Sequence, residues 1–415
     1  MSSLGRDQDV LEYILGQLSS ETPDGSTRWW IQAEVLASVA DFWANFRTDP
    51  NPGLSGLCGK ILDQAKRNYL SAIRSKDADQ LWFDDYGWWG LAFAKLAKLG
   101  QDELKGLVDS TELTKMAVDC AQANAVGKSV WATATPEQRK DPEFARRGPP
   151  AVAVPVLYGD GYGGLWNANY QMFQHSSEKG WDTSVVAIQN TVTNANYLLL
   201  CLSLAELLGE GDDAWTREVK LAAQWFHAWI NPDKARASEA TVPKGYLGTN
   251  GLIRERVPSM PAFGPDGYWA GDQGIWLAVL SRLWGKESAL RESVPDSLTR
   301  LLQNLPMDSD GKRPLNDANL PAAAPGGSDP TDYATGREVL LRHLTEALVR
   351  FKTLAGTGDS NAVTMLRNIK GCPPLVHVGA WGSDLKWPPV GTFEFSAAGA
   401  HLAVVVANTV MSRQS

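Results

Sequence analysis

Two consecutive carboxylates, Asp84 and Asp85, stand at the start of an apolar stretch rich in tryptophan, "LWFDDYGWWGLAFAKLAKL". Like charges held together in apolar surroundings repel each other, unless one carboxyl keeps a proton or a ligand compensates the repulsion. Helix capping and the positive end of the helix dipole offer an alternative interpretation. Capping needs only one aspartate, so it leaves the second carboxylate unexplained.

Glycoside hydrolysis requires such a pair, with one protonated carboxyl that donates to the leaving oxygen and one ionised carboxylate that attacks or activates water. Apolar surroundings and mutual repulsion would raise one pKa and thereby separate the two roles. Adjacent helix residues point about 100° apart. Their carboxyl groups can flank a sugar at the ~5 Å separation of retaining enzymes, whereas the ~6.5–9.5 Å of inverting enzymes is harder to reach.

Two other chemistries of paired aspartates do not fit the surrounding residues. A magnesium-dependent terpene synthase would need another carboxylate about one turn further on, but Tyr86, Gly87 and Trp88 follow the pair. An acid of the squalene cyclase type would need an aspartate two residues before the pair, where Trp82 stands.

Tryptophan is abundant, with 17 in the chain. Some of these side chains must belong to the core, because aromatic residues dominate core energetics. Others stand beside polar residues at the predicted ends of helices, where an indole can stack on the C–H face of a sugar ring. We expect this role for Trp30, Trp88, Trp166, Trp269 and Trp381.

The elements that position these residues are predicted to be helices. Apolar residues recur with a period near 3.6 in segments such as "STRWWIQAEVLASVADFWANF" and "GREVLLRHLTEALVRFKTLAG", and strand signals are weak. We count ten to twelve helices, mostly joined as antiparallel pairs, with no change of composition that would mark a linker. The sequence therefore predicts an all-α fold, a closed ring of helical hairpins in a single domain over residues 1–415.

Long connections interrupt this helical pattern, and such loops are usually functional in compact domains. One runs from about 133 to 186 and includes "LYGDGYGGLWNANY", and another runs from about 231 to 268 and includes "NGLIRERV". A third, "DSDGKRPLNDANLPAAAPGGSDPTD", is predicted to be a surface excursion without chemistry. A shorter one, "HVGAWGSDLKWPPVGTFEF", precedes the last helix.

Charge and composition restrict the partners. The formal net charge is −8 and basic residues are not clustered, which argues against nucleic acid and an anionic membrane surface and favours a neutral or cationic ligand. The N-terminal residues lack the basic and apolar regions of a signal peptide, and no apolar stretch reaches the roughly 20 residues of a membrane span. We therefore expect a cytoplasmic protein, or a secreted one if a signal has been removed; the oligomeric state is left open.

Cysteine and histidine give no sign of a metal or redox site. Cys58, Cys120, Cys201 and Cys372 are far apart, without a CxxC pair or a histidine at ligand spacing, and an HExxH motif is absent. We expect buried, reduced thiols, no metal and no organic cofactor.

At this point the sequence resembles glycoside hydrolase family 76, the α-1,6-mannanases built on an (α/α)6 barrel. The similarity extends over roughly residues 28–285 and rests on motifs in the family's order: "RWWIQAEVLASVADFW", "FDDYGWWGLAFAKLAKL", "GGLWN", "QNTVTNANYLLLCLSLAELL", "NGLIRERV" and "YWAGDQGIWLAVLSRLW". The resemblance implies an (α/α)6 barrel and hydrolysis of α-linked mannan.

Residue by residue, the resemblance implies that Asp84 is the nucleophile and Asp85 the general acid/base. It places Trp88 beside the pair, Trp166 in a wall of the groove and Gln273 in a polar contact near the substrate. Each of the last two has a structural alternative: Trp166 would only cover the barrel opening, and Gln273 would only satisfy a helix end.

Two further residues, Asn190 and Asn194, lie one helical turn apart and share a face that can line the barrel, although Asn190 is equally suited to be a helix cap. The chain also departs from the family. Glu255 and Arg256 replace Asp and Gly, and Asp272 replaces Asn, which adds a third acid near the pair. We include Glu255 and Asp272 with Trp30 and Trp269 among the expected substrate contacts.

The sequence therefore predicts a retaining glycosidase that acts within chains of α-linked mannose or a related α-glycan. Two alternatives stay open. One is a barrel that binds or assembles glycans without hydrolysing them, and the other is a lyase, epimerase or isomerase on the same scaffold. The intact aspartate pair favours hydrolysis over binding alone, and the scarcity of histidine near the motifs weakens the epimerase alternative.

Overall fold

A computed structural model of the chain describes its helices and part of the connections between them. The described residues are 3–20, 29–47, 52–74, 82–142, 164–180, 183, 186–209, 213–230, 247, 251–255, 268–286, 288–305, 307, 317–318, 335–378 and 394–413. Much of the four predicted long connections, including Trp381, lies outside these residues, as does Arg256.

Twelve long helices alternate between an outer and an inner layer within the described part of the chain. Odd-numbered helices are outer and even-numbered helices are inner: α1 Ser3–Ser20, α2 Trp29–Phe46, α3 Pro52–Asn68, α4 Phe83–Gln101, α5 Ser110–Ala125, α6 Thr191–Leu208, α7 Asp213–Ile230, α8 Ala270–Leu283, α9 Val294–Asn304, α10 Gly336–Gly356, α11 Ser360–Gly371 and α12 Glu394–Ser412.

The six inner helices form a closed ring. Each one contacts the next inner helix along the chain, and α12 returns to contact α2. The outer helices pack on this ring, for example α5 against α4 and α6, and α11 against α10. The predicted all-α (α/α)6 barrel of six helical hairpins is therefore confirmed, whereas the single-domain boundaries 1–415 stay a prediction.

All inner helices run in the same direction. Residues at matching positions in their first two turns meet between α4 and α6 (Gly87 and Asn196), α8 and α10 (Gly274 and Leu340), and α10 and α12 (Glu338 and Gly399). At one end the indole of Trp30 on α2 contacts those of Trp88 and Trp269. At the other end Lys95 on α4 pairs with Asp41 on α2 at 2.5 Å. The N-terminal turns of α2, α4, α6, α8, α10 and α12 thus gather at one end of the barrel, which we call the mouth.

Helix α6 illustrates why the inner layer is so apolar. By length and composition alone, Thr191–Leu208 would be apolar enough to cross a membrane. Most of this helix is buried inside the protein, where it contacts α4, α5, α7 and α8. A helix that is apolar on all sides is expected in the centre of a large helical protein, so its position in the ring accounts for its composition.

Buried charges lie between α2, α10 and α12. Arg342 on α10 forms an ion pair with Glu34 on α2, and Ser38 Oγ donates a hydrogen bond of 2.7 Å to Glu338 Oε1. A side chain at Gly399 of α12 would collide with the same oxygen, so glycine leaves the room that this carboxyl occupies. Burial, and then the nearby Glu34 carboxylate, raise the pKa of Glu338 to about 8.

The raised pKa of Glu338 predicts a specific pH dependence of stability. Because the folded-state pKa is about 8 and the ordinary value is 4.5, the contribution of this group is fully present below 4.5 and is lost as the pH rises through 8. As the pH rises, we expect Glu338→Gln, which keeps an acceptor for Ser38, to become more stable relative to the wild type. The gain is on the order of a few kcal/mol by pH 8.

Thermal unfolding of both proteins between pH 5 and 9 measures this difference. Glu103→Gln, at an exposed position between α4 and α5, is the surface control. A difference in Tm between Glu338→Gln and wild type that stays constant over this pH range would show that Glu338 does not titrate there.

Candidate active site

The aspartate pair occupies the first turn of α4 without capping it. The N-cap is Trp82, whose side chain makes no capping hydrogen bond, and Asp84 and Asp85 are the second and third residues of the helix. The capping interpretation of the sequence therefore does not describe this helix, although both carboxylates lie where the helix dipole favours negative charge.

The surroundings of the pair are strongly apolar. Asp85 is 8 % exposed and Asp84 is half-buried. Burial raises the pKa of the neighbouring Tyr86 to about 12, and the charges of Cys120 and Asp85 add to this rise. A carboxylate at Asp85 thus faces surroundings that disfavour charge, as the sequence predicted from its tryptophan-rich stretch.

Helical geometry directs the two carboxylates toward different neighbours. Asp84 lies one turn before Trp88 and therefore shares its face of α4. Trp88 stacks on Trp30 of α2 with ring centroids 5.4 Å apart. Asp85 lies one turn before Trp89, which packs against Phe93 of the same helix. Asp84 is thus the carboxylate on the face of α4 that meets α2.

Three tryptophans, two from inner helices and one from the residue that precedes α8, meet at the mouth. Trp30 of α2 is half-buried, stacks on Trp88 and meets the ring of Trp269 edge-on at 6.0 Å between centroids. Trp269 lies just before α8 and covers two glycines, Gly271 and Gly336, at which a Cβ would collide with its ring. We call Trp30, Trp88 and Trp269 the tryptophan cluster; three of the predicted site residues are thus brought together on one side of the aspartate pair.

The polar residues expected on α6 bind the backbone instead of facing an open groove. Asn190 is the N-cap of α6, and its side chain accepts a hydrogen bond from the Thr193 N–H at 3.1 Å. Asn194 is 2 % exposed, and its carboxamide bonds both the N–H and the C=O of Leu165. The capping alternative for Asn190 is therefore the one that this helix shows.

The expected contacts around α8 are also buried. The carboxamide of Gln273 bonds the N–H and the C=O of Ile253. Asp272, in the first turn of α8, is fully buried. The side chain of Glu255 is buried at the mouth, and its backbone C=O accepts a hydrogen bond from the Thr191 N–H at 2.9 Å. These residues hold the 251–255 segment against α6 and α8.

Trp166, which was expected in a groove wall, is only 1 % exposed. It belongs to a second apolar cluster that includes Phe83 at the start of α4 and Val130. Its backbone N–H donates to the Gly127 C=O at 3.1 Å. Trp166 is therefore buried in this cluster beside the start of α4, and its role in a groove wall stays a prediction.

Two buried amides, Asn124 of α5 and Asn196 of α6, press against the backbone of α4 at Gly87. A Cβ at Gly87 would lie 2.8 Å from Asn196 Cβ and 2.9 Å from Asn124 Nδ2. The sequence analysis did not single out either asparagine. Asn196 is signalled only as a polar residue inside the apolar helix α6, whereas nothing in the polar sequence of α5 singles out Asn124.

The four cysteines are buried thiols, and the described side chains that could bind a metal are dispersed. Among the described residues, no group of three or more His, Cys, Asp or Glu side chains is placed to hold a metal ion. Cys58, Cys120, Cys201 and Cys372 are buried free thiols. Burial raises the pKa of the Cys120 thiol to about 12, so this group stays protonated and unreactive at neutral pH.

Comparisons with known proteins show the fold. No family model and no curated protein sequence matches the chain. Among solved structures, the GH76A alpha-1,6-mannanase from Salegentibacter sp. HEL1_6 is similar, with a TM-score of 0.57 and 12% identity over 98% of this chain and 99% of that chain.

Two further solved structures have the same architecture. An inactive variant of the same mannanase, with two consecutive aspartates replaced by alanine, is in complex with alpha-1,6-mannotetrose; its TM-score is 0.56 at 12% identity over 98% of this chain and 99% of that chain. Dfg5 from Chaetomium thermophilum, in complex with glucosamine, gives a TM-score of 0.51 at 14% identity over 94% of this chain and 82% of that chain. The barrel fold predicted from the resemblance to glycoside hydrolase family 76 is thereby confirmed.

Close packing at Gly87 predicts a measurable cost for its smallest substitution. Alanine normally stabilises a helix relative to glycine by up to ~1 kcal/mol, but at Gly87 the methyl group must displace Asn196 and Asn124. We expect Gly87→Ala to lower the free energy of unfolding by roughly 1–3 kcal/mol, the usual range for overpacking.

Gly56 provides the matched control, since it lies in the outer helix α3 and a methyl group added there would have nothing within 4 Å. We expect Gly56→Ala to be neutral or stabilising in the same urea titration. A Gly87→Ala protein as stable as Gly56→Ala would show that the backbones of α4 and α6 are not in tight contact there.

Proposed function

We propose that this protein is a retaining glycoside hydrolase that acts within chains of α-linked mannose, with Asp84 as nucleophile and Asp85 as general acid/base. One observation carries the proposal. Two consecutive carboxylates that do not cap their helix stand in apolar surroundings at the mouth of the barrel, beside the tryptophan cluster. Glycosidic bond cleavage requires such a pair of carboxyl groups, one as nucleophile and one as acid.

The structural comparisons support the assignment of the pair and the choice of substrate. In the mannanase of the same fold, an inactive variant lacks two consecutive aspartates and binds alpha-1,6-mannotetrose. Asp84 and Asp85 are consecutive and lie at the mouth of the equivalent barrel type. An α-1,6-linked mannan is accordingly the first substrate to test.

In the proposed reaction, the ionised Asp84 carboxylate attacks the anomeric carbon while the protonated Asp85 carboxyl donates its proton to the departing glycosidic oxygen. The product of this step is a covalent glycosyl ester of Asp84 with inverted configuration. Asp85, now ionised, removes a proton from water, and the water oxygen attacks the anomeric carbon and releases Asp84. Two inversions retain the α configuration, and the two carboxylates and water complete the cycle.

The different environments of the two carboxyl groups fit these roles. A general acid must keep its proton near neutral pH, and burial among apolar side chains favours the neutral carboxyl. Asp85 is the more buried of the pair, whereas Asp84 is half-buried on the face of α4 that carries Trp88. This asymmetry supports Asp85 as the acid and Asp84 as the nucleophile.

The tryptophan cluster supplies an apolar surface next to the nucleophile. The half-buried Trp30 is backed by the stacked Trp88 and by the edge of Trp269. A rigid indole presents a flat surface to the C–H face of a sugar ring at low entropic cost, because its own rotamer is already fixed by packing. We propose that Trp30 is the principal sugar-stacking residue of this site.

Loss of either carboxyl group should abolish hydrolysis and leave the fold intact. We expect Asp84→Asn and Asp85→Asn each to lower kcat on α-1,6-mannan by several orders of magnitude, with unchanged or higher Tm, because each removes a buried or half-buried charge. Asp102→Asn, at the opposite end of the same helix, is the control. Variants within tenfold of wild-type kcat would remove the pair from the chemistry.

The stereochemical outcome and rescue by azide separate the two roles. Proton NMR of the first product should show the α anomer. Asp85→Ala with an activated substrate should be rescued by azide and yield the α-glycosyl azide, whereas any rescue of Asp84→Ala should yield the β-azide. Exchanged azide products would exchange the assignments, and a β product from the wild type would rule out retention.

Substitution of Trp30 tests the sugar-stacking surface. In an Asp84→Asn background that cannot turn over, Trp30→Ala should weaken α-1,6-mannotetraose binding by roughly 1–3 kcal/mol in calorimetry. Trp284→Ala is the matched control, because Trp284 packs on Phe351 at the C-terminal end of α8, away from the mouth. Equal affinities of the two variants would make Trp30 a packing residue only. Binding without any hydrolysis by the unsubstituted protein would indicate a glycan-binding function.

A further inference from the structure

The carboxamide of Asn194 bonds both backbone groups of the loop residue Leu165, as a neighbouring β-strand would. Its Oδ1 accepts from the Leu165 N–H at 2.7 Å, and its Nδ2 donates to the Leu165 C=O at 3.0 Å. The same Nδ2 donates to the C=O of Asn190, one turn earlier in α6, at 2.8 Å. We call this arrangement an amide clamp, because one buried carboxamide holds both backbone groups of one loop residue and is itself fixed to its own helix.

Gln273 forms a second amide clamp with the same design. Its Oε1 accepts from the Ile253 N–H at 2.9 Å, and its Nε2 donates to the Ile253 C=O at 2.8 Å. The same Nε2 donates to the C=O of Trp269, four residues earlier, at 3.1 Å. Asn194 and Gln273 are both the fourth residue of an inner helix, so the two clamps act at the same level below the mouth.

The segment held by Asn194 is hydrogen-bonded to the start of α4, the helix that carries the aspartate pair. Two residues after Leu165, the Asn167 C=O accepts a 2.7 Å hydrogen bond from the N–H of Phe83, the first residue of α4. Ala168 forms an antiparallel bridge with Trp82. The first N–H groups of a helix have no partner inside the helix, and the side chain of the N-cap Trp82 makes no capping hydrogen bond. The 165–168 segment supplies the missing acceptor.

Asn167 is held in turn by the segment before α6. Its N–H donates to the Ile188 C=O at 2.7 Å, and its Oδ1 accepts from the Ile188 N–H at 2.9 Å. The adjacent Ala187 has a φ of 56°, in the left-handed region that non-glycine residues adopt only when their surroundings impose it. The segment is therefore fixed from two sides, by Asn194 and by Ile188.

The segment held by Gln273 is fixed to the start of α6. Thr191 of α6 donates from its N–H to the Glu255 C=O at 2.9 Å and from Oγ1 to the Arg254 C=O at 2.6 Å. These contacts tie 251–255 to α6 and α8. The two amide clamps thus have the same chemistry but serve different elements of the mouth, which makes each a control for the other.

We infer that Asn194 is a positioning residue for the aspartate pair. Through Leu165 and Asn167 its carboxamide fixes the N–H of Phe83, and with it the first turn of α4 on which Asp84 and Asp85 stand. The catalytic consequence rests on the proposed function, whereas the structural link does not. The sequence analysis expected Asn194 to contact substrate. The inference instead gives it an indirect role, through the segment that contains Leu165 and Asn167.

The test compares Asn194→Ala, Gln273→Ala and Arg350→Met. Arg350 of α10 also bonds backbone C=O groups, those of Ser281 and Arg282, but at the opposite end of the barrel. Hydrogen exchange followed by mass spectrometry reports on peptides covering 82–90, 164–168 and 251–255. Thermal unfolding reports on global stability, and kcat and KM are measured on α-1,6-mannan.

We expect Asn194→Ala to speed exchange roughly tenfold or more at 164–168 and at the start of α4, as the loss of buried hydrogen bonds implies. Gln273→Ala should speed exchange at 251–255 and leave the start of α4 unchanged. Arg350→Met should lower Tm without either local effect. In the activity assay, Asn194→Ala should lower kcat by roughly 10–100-fold with KM within about threefold, because misplacement of reacting groups affects the chemical step.

Unchanged exchange at the start of α4 in Asn194→Ala, or an equal rise in Arg350→Met, would overturn the inference. If Asn194→Ala does not fold, Asn167→Ala removes the Ile188 contact from the same segment and should give the same local pattern. An unchanged kcat with a raised KM would return Asn194 to substrate contact. A wild type without hydrolytic activity, but with the expected exchange pattern, would contradict the proposed function and support the positioning link.

Discussion

The N–H groups at the start of a buried helix need acceptors, and this requirement shapes the mouth of the barrel. Helix α4 begins at Phe83 after a tryptophan that cannot cap it. A carboxylate used as a cap would have its oxygen occupied by the backbone. The Asn167 C=O accepts from the first N–H of α4, and neither aspartate of the first turn is the N-cap.

The same end of the barrel combines a rigid apolar surface with buried charge. The tryptophan cluster spans α2, α4 and the residue that precedes α8, so it links three of the six inner helices around the aspartate pair. One turn beyond Trp30 on α2, Glu34 pairs with Arg342, and Glu338 lies nearby with its pKa raised to about 8. Burial of such groups costs free energy, and the closed ring of inner helices compensates it with a large apolar core.

The periodicity of the sequence was sufficient to predict the fold, whereas the location of the site at the aspartate pair stays a prediction. Helical periods and the absence of a linker predicted the ring, and the tryptophans flanking Asp84 and Asp85 predicted apolar surroundings. The hydrogen-bond partners of buried polar side chains were harder to predict from the sequence. Asn194 and Gln273 stand where a polar residue interrupts an apolar helix, which indicates a buried partner but does not say whether that partner is substrate or backbone. Here both bind the backbone of a loop residue distant in sequence.

The raised pKa of Glu338 and the packing of Trp166 had no signal in the nearby sequence. Glu338 follows an ordinary helix start, and its pKa is raised by burial and then by Glu34, which is some 300 positions earlier in the chain. Trp166 shares a motif with Asn167, yet its indole packs behind α4 while the backbone of Asn167 supports the helix start. Tertiary contacts of this kind depend on how the ring closes, and a single sequence does not encode them as a pattern.

The most direct measurement of the central claim is covalent labelling by a mannose-configured epoxide of the cyclophellitol type, extended by an α-1,6-linked mannose. Such an inhibitor opens only when an acid protonates the epoxide oxygen and a carboxylate attacks the adjacent carbon, so it reports both roles at once. Peptide mass spectrometry should locate one inhibitor on Asp84 in the wild type, with labelling strongly slowed in Asp85→Ala. Labelling of another carboxylate, or none at all, would contradict the account.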